Sequence, residues 1–373
     1  MAIVNYLHSG GLTAPAVAAD WPGGYWWHWL FYAVAIIVAL LIMVMGAIYI
    51  ERRGLGRMQS RLGPNRVGPF GLLQPVADAI KILLKENIVP STADRIVHFM
   101  APIVAFTPVI LILAVVPVMN GAALADLNIG ILYVVAVSSI GSVGVFMAGW
   151  GSGSKFSLLG AMRNVAAVVS YEIPMVLSII GVVLFTGSLA TSQIIARQNI
   201  PFILMQPLGF LLFFAAACAE INRSPFDLME ADQEIVAGYM TEYSGMRFAM
   251  FYLVEYAEAI AMSAVITTLF LGGWRGPWLP PWLWFLVKTF AVFFFMVWTR
   301  TTLPRVRIDQ LMAFAWKFLF PLGLINLFIT AIQVLVWPDS LPWILIIINF
   351  AVMGALILIW SKFFRLGWGR VQV

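Results

Sequence analysis

Apolar residues in this chain come in long blocks, with no alternation with polar ones, and block length is the first structural signal. A helix needs roughly 20 apolar residues to cross the hydrocarbon layer of a bilayer. Runs of that kind fall at about 28–50, 97–118, 129–149, 162–185, 202–220, 247–271, 283–299, 314–336 and 343–361. The pattern predicts an all-α, polytopic integral membrane protein of about nine transmembrane helices. The run at 202–220 is the shortest, with Pro201 and Pro207 near its start. These limits divide the chain into an external tail (1–27), a nine-helix membrane domain (28–361) and a C-terminal tail (362–373).

Composition agrees with lipid as the solvent. Of 373 residues, 62% are hydrophobic and 10% charged, with a mean hydropathy of +0.94, too few polar residues to cover a water-soluble globule of this length. The net charge of +5 reads as topology, with no nucleic-acid partner, because Lys and Arg concentrate in cytoplasmic loops of membrane proteins. Nearly all of them, from Arg52 through Arg95, then Lys155, Arg163, Arg223, Arg247, Arg300 and on to Arg370, fall on one side of the predicted spans. Arg197 and Arg275 fall on the other, and Lys288 lies inside the seventh span. An odd number of spans then puts the N-terminus outside and the C-terminus in the cytoplasm or matrix. The stretch Ala16-Val17-Ala18-Ala19-Asp20 mimics a signal cleavage site, but no Lys or Arg precedes it, so an exposed tail is expected. Tryptophans near 26–29 and 274–284 fit interfacial belts.

Two connections are longer than topology requires. The first, 51–95, opens with Glu51-Arg52-Arg53 and passes through the Gly/Pro-dense Gly63-Pro64-Asn65-Arg66-Val67-Gly68. It becomes helical near Leu72, where Leu73, Val76, Ile80 and Leu83 recur at helical spacing, so an amphipathic helix in the interface is expected. The second, 221–246, gathers Asp227, Glu230, Asp232, Glu234 and Glu242, with Glu220 at its threshold. Like charges sharing a helix face disfavour joint ionisation and favour proton binding; a solvated acidic loop is the competing reading.

Carboxylates also lie inside the spans: Glu172 in the fourth, Glu255 and Glu258 in the sixth, Glu220 at the inner end of the fifth. Each costs roughly 2.5–3.5 kcal/mol at bilayer depth, so as a group they point to a proton-conducting or proton-gating route; protonated or arginine-paired packing residues are the alternative for any one of them. Redox chemistry is not expected from this chain. Its one cysteine, Cys218, can form no internal disulfide or cluster. His8, His28 and His98 are far apart and read as lying outside the helix interiors. No metal spacing, nucleophile elbow, P-loop or dinucleotide fingerprint is found.

The two loops carry a resemblance. Glu51-Arg52-Arg53 with Gly63-Pro64-Asn65-Arg66-Val67-Gly68, and Glu220-Ile221-Asn222-Arg223-Ser224-Pro225-Phe226-Asp227-Leu228 with Glu230 and Glu234, look like signatures of one family, the quinone-site membrane subunit of respiratory complex I, also called subunit one. The run Glu242-Tyr243-Ser244-Gly245-Met246-Arg247-Phe248 extends the match, which covers roughly residues 25–365. The resemblance implies a non-redox membrane subunit of proton-translocating NADH:quinone oxidoreductase in a bacterial inner membrane, or alternatively a mitochondrial one. It would hold ubiquinone or menaquinone as substrate, with NADH, FMN and iron–sulfur clusters in partner subunits. The implied partners are the peripheral-arm subunits, the small membrane subunits leading to the antiporter-like subunits, and lipid. Carried over by residue, Arg53, Arg61, Arg66, Arg223 and Asp227 would frame the quinone chamber and its entrance. Glu172, Glu220, Glu230, Glu234, Glu242, Glu255 and Glu258 would couple quinone chemistry to protons. Similar subunits of membrane-bound hydrogenases and other dehydrogenases, and a stand-alone ion transporter, are the rival readings.

Overall fold

The computed structural model describes residues 26–119, 123–227, 237–337 and 344–363. Among them the chain is helical, without strands. In order the helices are α1 (Trp26–Met58), α2 (Gln74–Leu83), α3 (Arg95–Val115), α4 (Gly130–Gly151) and α5 (Lys155–Thr186). The short α6 (Thr191–Arg197) and α7 (Phe202–Met205) precede α8 (Pro207–Glu220). Then come α9 (Gly245–Phe270), α10 (Pro281–Thr302), α11 (Ile308–Val336, with a π-helical turn over Phe314–Leu319) and α12 (Ile344–Phe363). Eight of these described helices are long and apolar enough to cross a membrane. The expected fifth span is the exception. It is broken at Gln206 into α7 and the 14-residue α8, which at 1.5 Å per residue spans about 21 Å, short of the ~30 Å hydrocarbon core. Pro207, with no N–H to continue a helix, explains the break.

One boundary differs from expectation for a physical reason. The first helix does not stop near residue 50 but runs on to Met58, taking Glu51, Arg52, Arg53 and Arg57 out of the loop. Gly54 and Gly56, read in sequence as loop residues, lie in that helix, where they let the returning chain pack on it. A Cβ on Gly56 would stand 2.8 Å from the Gly63 nitrogen, and one on Gly63 would stand 3.0 Å from the Arg53 Cα. The expected amphipathic helix is present as α2. Its Val76, Ile80 and Leu83 are exposed, while Gln74 and Asp78 turn their polar groups toward the protein, Asp78 pairing with Arg52 of α1 and accepting from Gln74 at 3.0 Å.

The centre of the bundle is α9, of whose apolar window 67% is buried, against 6% for α12 at the periphery. Close approach of α3 and α4 depends on small residues: a Cβ on Gly144 would lie 2.6 Å from the Ala105 nitrogen. The basic residues sort by end. Arg223 and Arg300 meet Glu51 at one end. At the other, Arg197 donates to the Thr186 carbonyl and Arg275 to the Gln198 carbonyl at 2.9 Å. Lys288, anomalous by sequence, reaches the carbonyls of Leu271 (2.7 Å), Gly273 (3.1 Å) and Arg275 (2.5 Å) and so closes the turn after α9.

Candidate functional site

The chain leaves α8 at Glu220 and within three residues places Arg223 in the interior, 1% exposed. An isolated charge there would be costly, and the surroundings answer it. Its Nη1 donates to Glu51 Oε2 at 2.6 Å, and its Nε lies 3.5 Å from Glu255 Oε1. Its guanidinium lies 4.4 Å from the Tyr256 ring centroid and 5.5 Å from that of Phe293. Burial opposes the charge, but Glu51 and Glu255 outweigh it and hold the guanidinium protonated above its ordinary range. The second Glu51 oxygen accepts from Arg300 at 2.6 Å. Glu51, 2% exposed, is thus the hub joining the ends of α1 and α10 to the chain after α8. Four residues on, Asp227 accepts from Arg305 at 2.9 Å and from Ser224 at 3.4 Å, and the Val306 amide donates to the Pro225 carbonyl.

Directly inside this hub is a cavity between α3, α4, α5 and α9. Glu220, Glu255 and Glu258 line it together with Ser138, Ser142 and Asn164. It offers roughly 60 Å³ of space to water, room for several molecules given that one needs about 10–15 Å³. Glu220 Oε2 and both amide atoms of Asn164 are buried without a hydrogen bond inside the chain, the polar lining that ordered water requires. Gly141 makes room for Glu258, since a Cβ there would come within 3.4 Å of its Oε1. Glu172 stands behind, with Oε1 buried and close enough to act electrostatically on Glu220. Glu255 belongs to both features: one carboxylate lines the cavity and also faces Arg223.

Comparison with known proteins gives the same direction. The NADH dehydrogenase family model matches residues 31–331. The chain belongs to this family. It is 58% identical over 349 residues to the H-subunit of NADH-quinone oxidoreductase from Dehalococcoides mccartyi, covering 94% of this chain and 99% of that protein. To the protein of the same name from Geobacillus kaustophilus it is 50% identical over 311 residues, 81% of this chain and 93% of that one. The Bacillus thuringiensis counterpart is 49% identical over 306 residues, 80% and 92% of the two chains.

The remaining expected site residues of this NADH dehydrogenase family chain are dispersed. Arg53 donates to the Tyr49 hydroxyl and, at 2.8 Å, to the Phe70 carbonyl, with its guanidinium 5.5 Å from the Phe70 ring centroid. It therefore anchors the first connection against α1. Arg61 is exposed and donates to Gln59 at 2.8 Å, and Arg66 is exposed. Glu230 and Glu234, with Asp232, lie outside the described residues. Glu242 stands apart from the cavity, at the turn before α9, where it acts on His98. His98, read in sequence as outside the helix interiors, is fully buried in the first turn of α3. Its ring stacks on Tyr243 at 3.9 Å, and Arg247 Nη1 approaches Nδ1 at 2.9 Å. Since Arg247 can only donate, Nδ1 accepts and the proton sits on Nε2. Burial pushes the Tyr243 phenol above its usual range.

Sequence reasoning passed over Glu51 as a site residue, and also Arg300, Arg305, Asn164, Ser138 and Ser142. Two signals were available. Ser138, Gly141 and Ser142 recur at helical spacing in an otherwise apolar span, and Asn164 is an amide within another. The pairing of Glu51 with arginines 172 and 249 residues distant had no local signature.

Proposed function

We infer that this chain is the non-redox membrane subunit of a proton-translocating NADH:quinone oxidoreductase, embedded in a bacterial inner membrane with its C-terminus cytoplasmic. It forms the membrane part of the quinone chamber and the first stage of the proton-coupling route. The observation that carries the reading is the double position of Glu255, facing Arg223 on one side and the water-accessible acidic cavity on the other. Reducing a quinone to a quinol takes two electrons and two protons, so the head-group site changes in charge demand at each turnover. With Arg53 and the first connection beside the chamber, and Arg223 and Asp227 on its inner wall, that change reaches Glu255 through Arg223. Redistribution of protons among Glu255, Glu258, Glu220 and Glu172 follows, biasing channels in neighbouring subunits. Glu230, Glu234 and Glu242 of the second connection serve the same coupling. Arg61 and Arg66, exposed in the chain alone, face the peripheral arm at the entrance. Electrons come from NADH through FMN and iron–sulfur clusters held by partner subunits. Among the described residues, no group of His, Cys, Asp or Glu is arranged to hold a metal.

The test is made in the assembled complex. Glu220→Gln and Glu255→Gln depress NADH-driven quinone reduction and proton pumping, while ferricyanide reduction by the peripheral arm stays close to normal. Normal quinone activity and pumping in both variants would remove the coupling role. Robust substrate-driven transport by this chain reconstituted alone would overturn the assignment to a multisubunit enzyme.

A further inference from the structure

A second polar pocket lies at the break in the fifth membrane element. Gln206, between α7 and α8, is 3% exposed, and its amide nitrogen donates to the Gly181 carbonyl at 3.0 Å and to Thr330 Oγ1 at 3.2 Å. Because the Gly181 carbonyl only accepts, the amide orientation is fixed and Oε1 points the other way. That oxygen is buried with no hydrogen bond, as is Nδ2 of Asn326, a residue 6% exposed on α11. Both atoms look onto Gly209: a Cβ built there would sit 3.3 Å from Gln206 Oε1 and 3.3 Å from Asn326 Nδ2. The pocket they share provides about 20 Å³ of space to water, enough for one molecule by the 10–15 Å³ requirement. Two unpaired buried polar atoms beside a space of that size, with α8 lacking any side-chain cap, define a ligand that is small, accepts from an amide N–H and donates to an amide oxygen. A bare cation fails at the N–H, and an apolar molecule fails at both.

We propose that one water molecule is a built-in part of this break, held in the pocket that Gln206 and Asn326 line, between Gln206 Oε1 and Asn326 Nδ2 and next to Gly209. It joins α8 to α11 where Pro207 interrupts the helix, and it accounts for a glycine in the first turn of a membrane helix. The site is separate from the acidic cavity: the intervening α8 residues, Leu208 to Ala219, carry no side chain that conducts protons except the lone thiol of Cys218. The deciding experiment is a map of the assembled complex at a resolution that shows ordered solvent, combined with two substitutions. A peak is expected about 2.7–3.2 Å from both atoms. Gly209→Ala removes it and shortens the half-life of quinone-reductase activity in detergent by about tenfold, the scale of stranding a buried polar group. Gly209→Ser, which puts a hydroxyl in the water's place, restores the half-life to within about threefold of the unmodified complex. An empty site in the unmodified complex, a peak coordinated as a metal cation, or a serine variant no better than alanine would overturn the proposal. Should neither variant assemble, the map of the unmodified complex decides.

Discussion

Removing the Glu51 side chain tests the hub most directly. In Glu51→Ala the Arg300 guanidinium, about a quarter exposed at 24%, can turn toward water, but Arg223 at 1% cannot. It keeps only the looser 3.5 Å approach to Glu255 and the faces of Tyr256 and Phe293. Breaking one side of a buried ion pair typically costs about 3–5 kcal/mol, mostly from the charge left behind, whereas replacing both partners by apolar side chains of similar size is often neutral. The assay is the half-life of quinone-reductase activity of the detergent-solubilised complex at a fixed temperature. With the ion pair already broken in the unfolding transition state, that energy corresponds to a half-life shortened by roughly 100-fold or more. Glu51→Met with Arg223→Met recovers most of the half-life, though not the coupled activity, because Arg223 is proposed to relay charge. A Glu51→Ala half-life within threefold of the unmodified complex, or a double variant worse than the single, would refute the view of Glu51 as the stabilising counter-charge.

Other expectations follow from packing and hydrogen bonds that are equally specific. Gly144→Ala forces a methyl group against the α3 backbone at Ala105 and should destabilise by about 1–3 kcal/mol, while Gly46→Ala, with nothing within 4 Å of its Cβ, is neutral or gains about 0.5–1 kcal/mol. Comparison of their thermal inactivation in matched preparations decides this. Lys288→Met strands the carbonyls of Leu271, Gly273 and Arg275 and should cost about 1.5–3 kcal/mol, read as lower resistance to heat without a change in the quinone KM. Tyr171→Phe deletes the 2.9 Å bond to the Leu311 carbonyl, worth about 1 kcal/mol, and increased hydrogen exchange just ahead of the π-helical turn of α11 is the signature to look for.

Much of the architecture was legible along the chain because a membrane helix announces itself locally. About 20 apolar residues in a row have few other physical outcomes, and the expected runs coincide with α1, α3, α4, α5, α9, α10, α11 and α12. The fifth run was legible as apolar but not as broken. Pro207 gave the warning, but only the folded bundle brings Asn349, which donates to the Met205 carbonyl at 2.5 Å, and the Gly181 carbonyl and Thr330, which accept from the Gln206 side chain, to the break. The extension of α1 to Met58 was hidden from the sequence for the complementary reason. Charged residues at 51–57 look like loop until Arg223 and Arg300 arrive from elsewhere to pair with Glu51, and Asp78 to pair with Arg52.

The candidate site divides in the same way. That carboxylates sit within apolar spans follows from residue identity and helix length, and the cost of placing charge in hydrocarbon makes them functional candidates before any fold is known. Which of them meet is a property of the packed bundle. Glu255 and Glu258 share a face by spacing alone, but their convergence with Glu220, Ser138, Ser142 and Asn164 on one cavity depends on how α4, α5, α8 and α9 pack against one another. The solvent of this protein, its span pattern and its family signatures were all written in the order of residues, because hydrophobic length and loop motifs are local. That Glu51 is the hub, that Arg223 links it to Glu255, and that Glu242 stands apart at His98 emerged only from the folded bundle, because electrostatic pairing in a low-dielectric interior is settled by which helices touch.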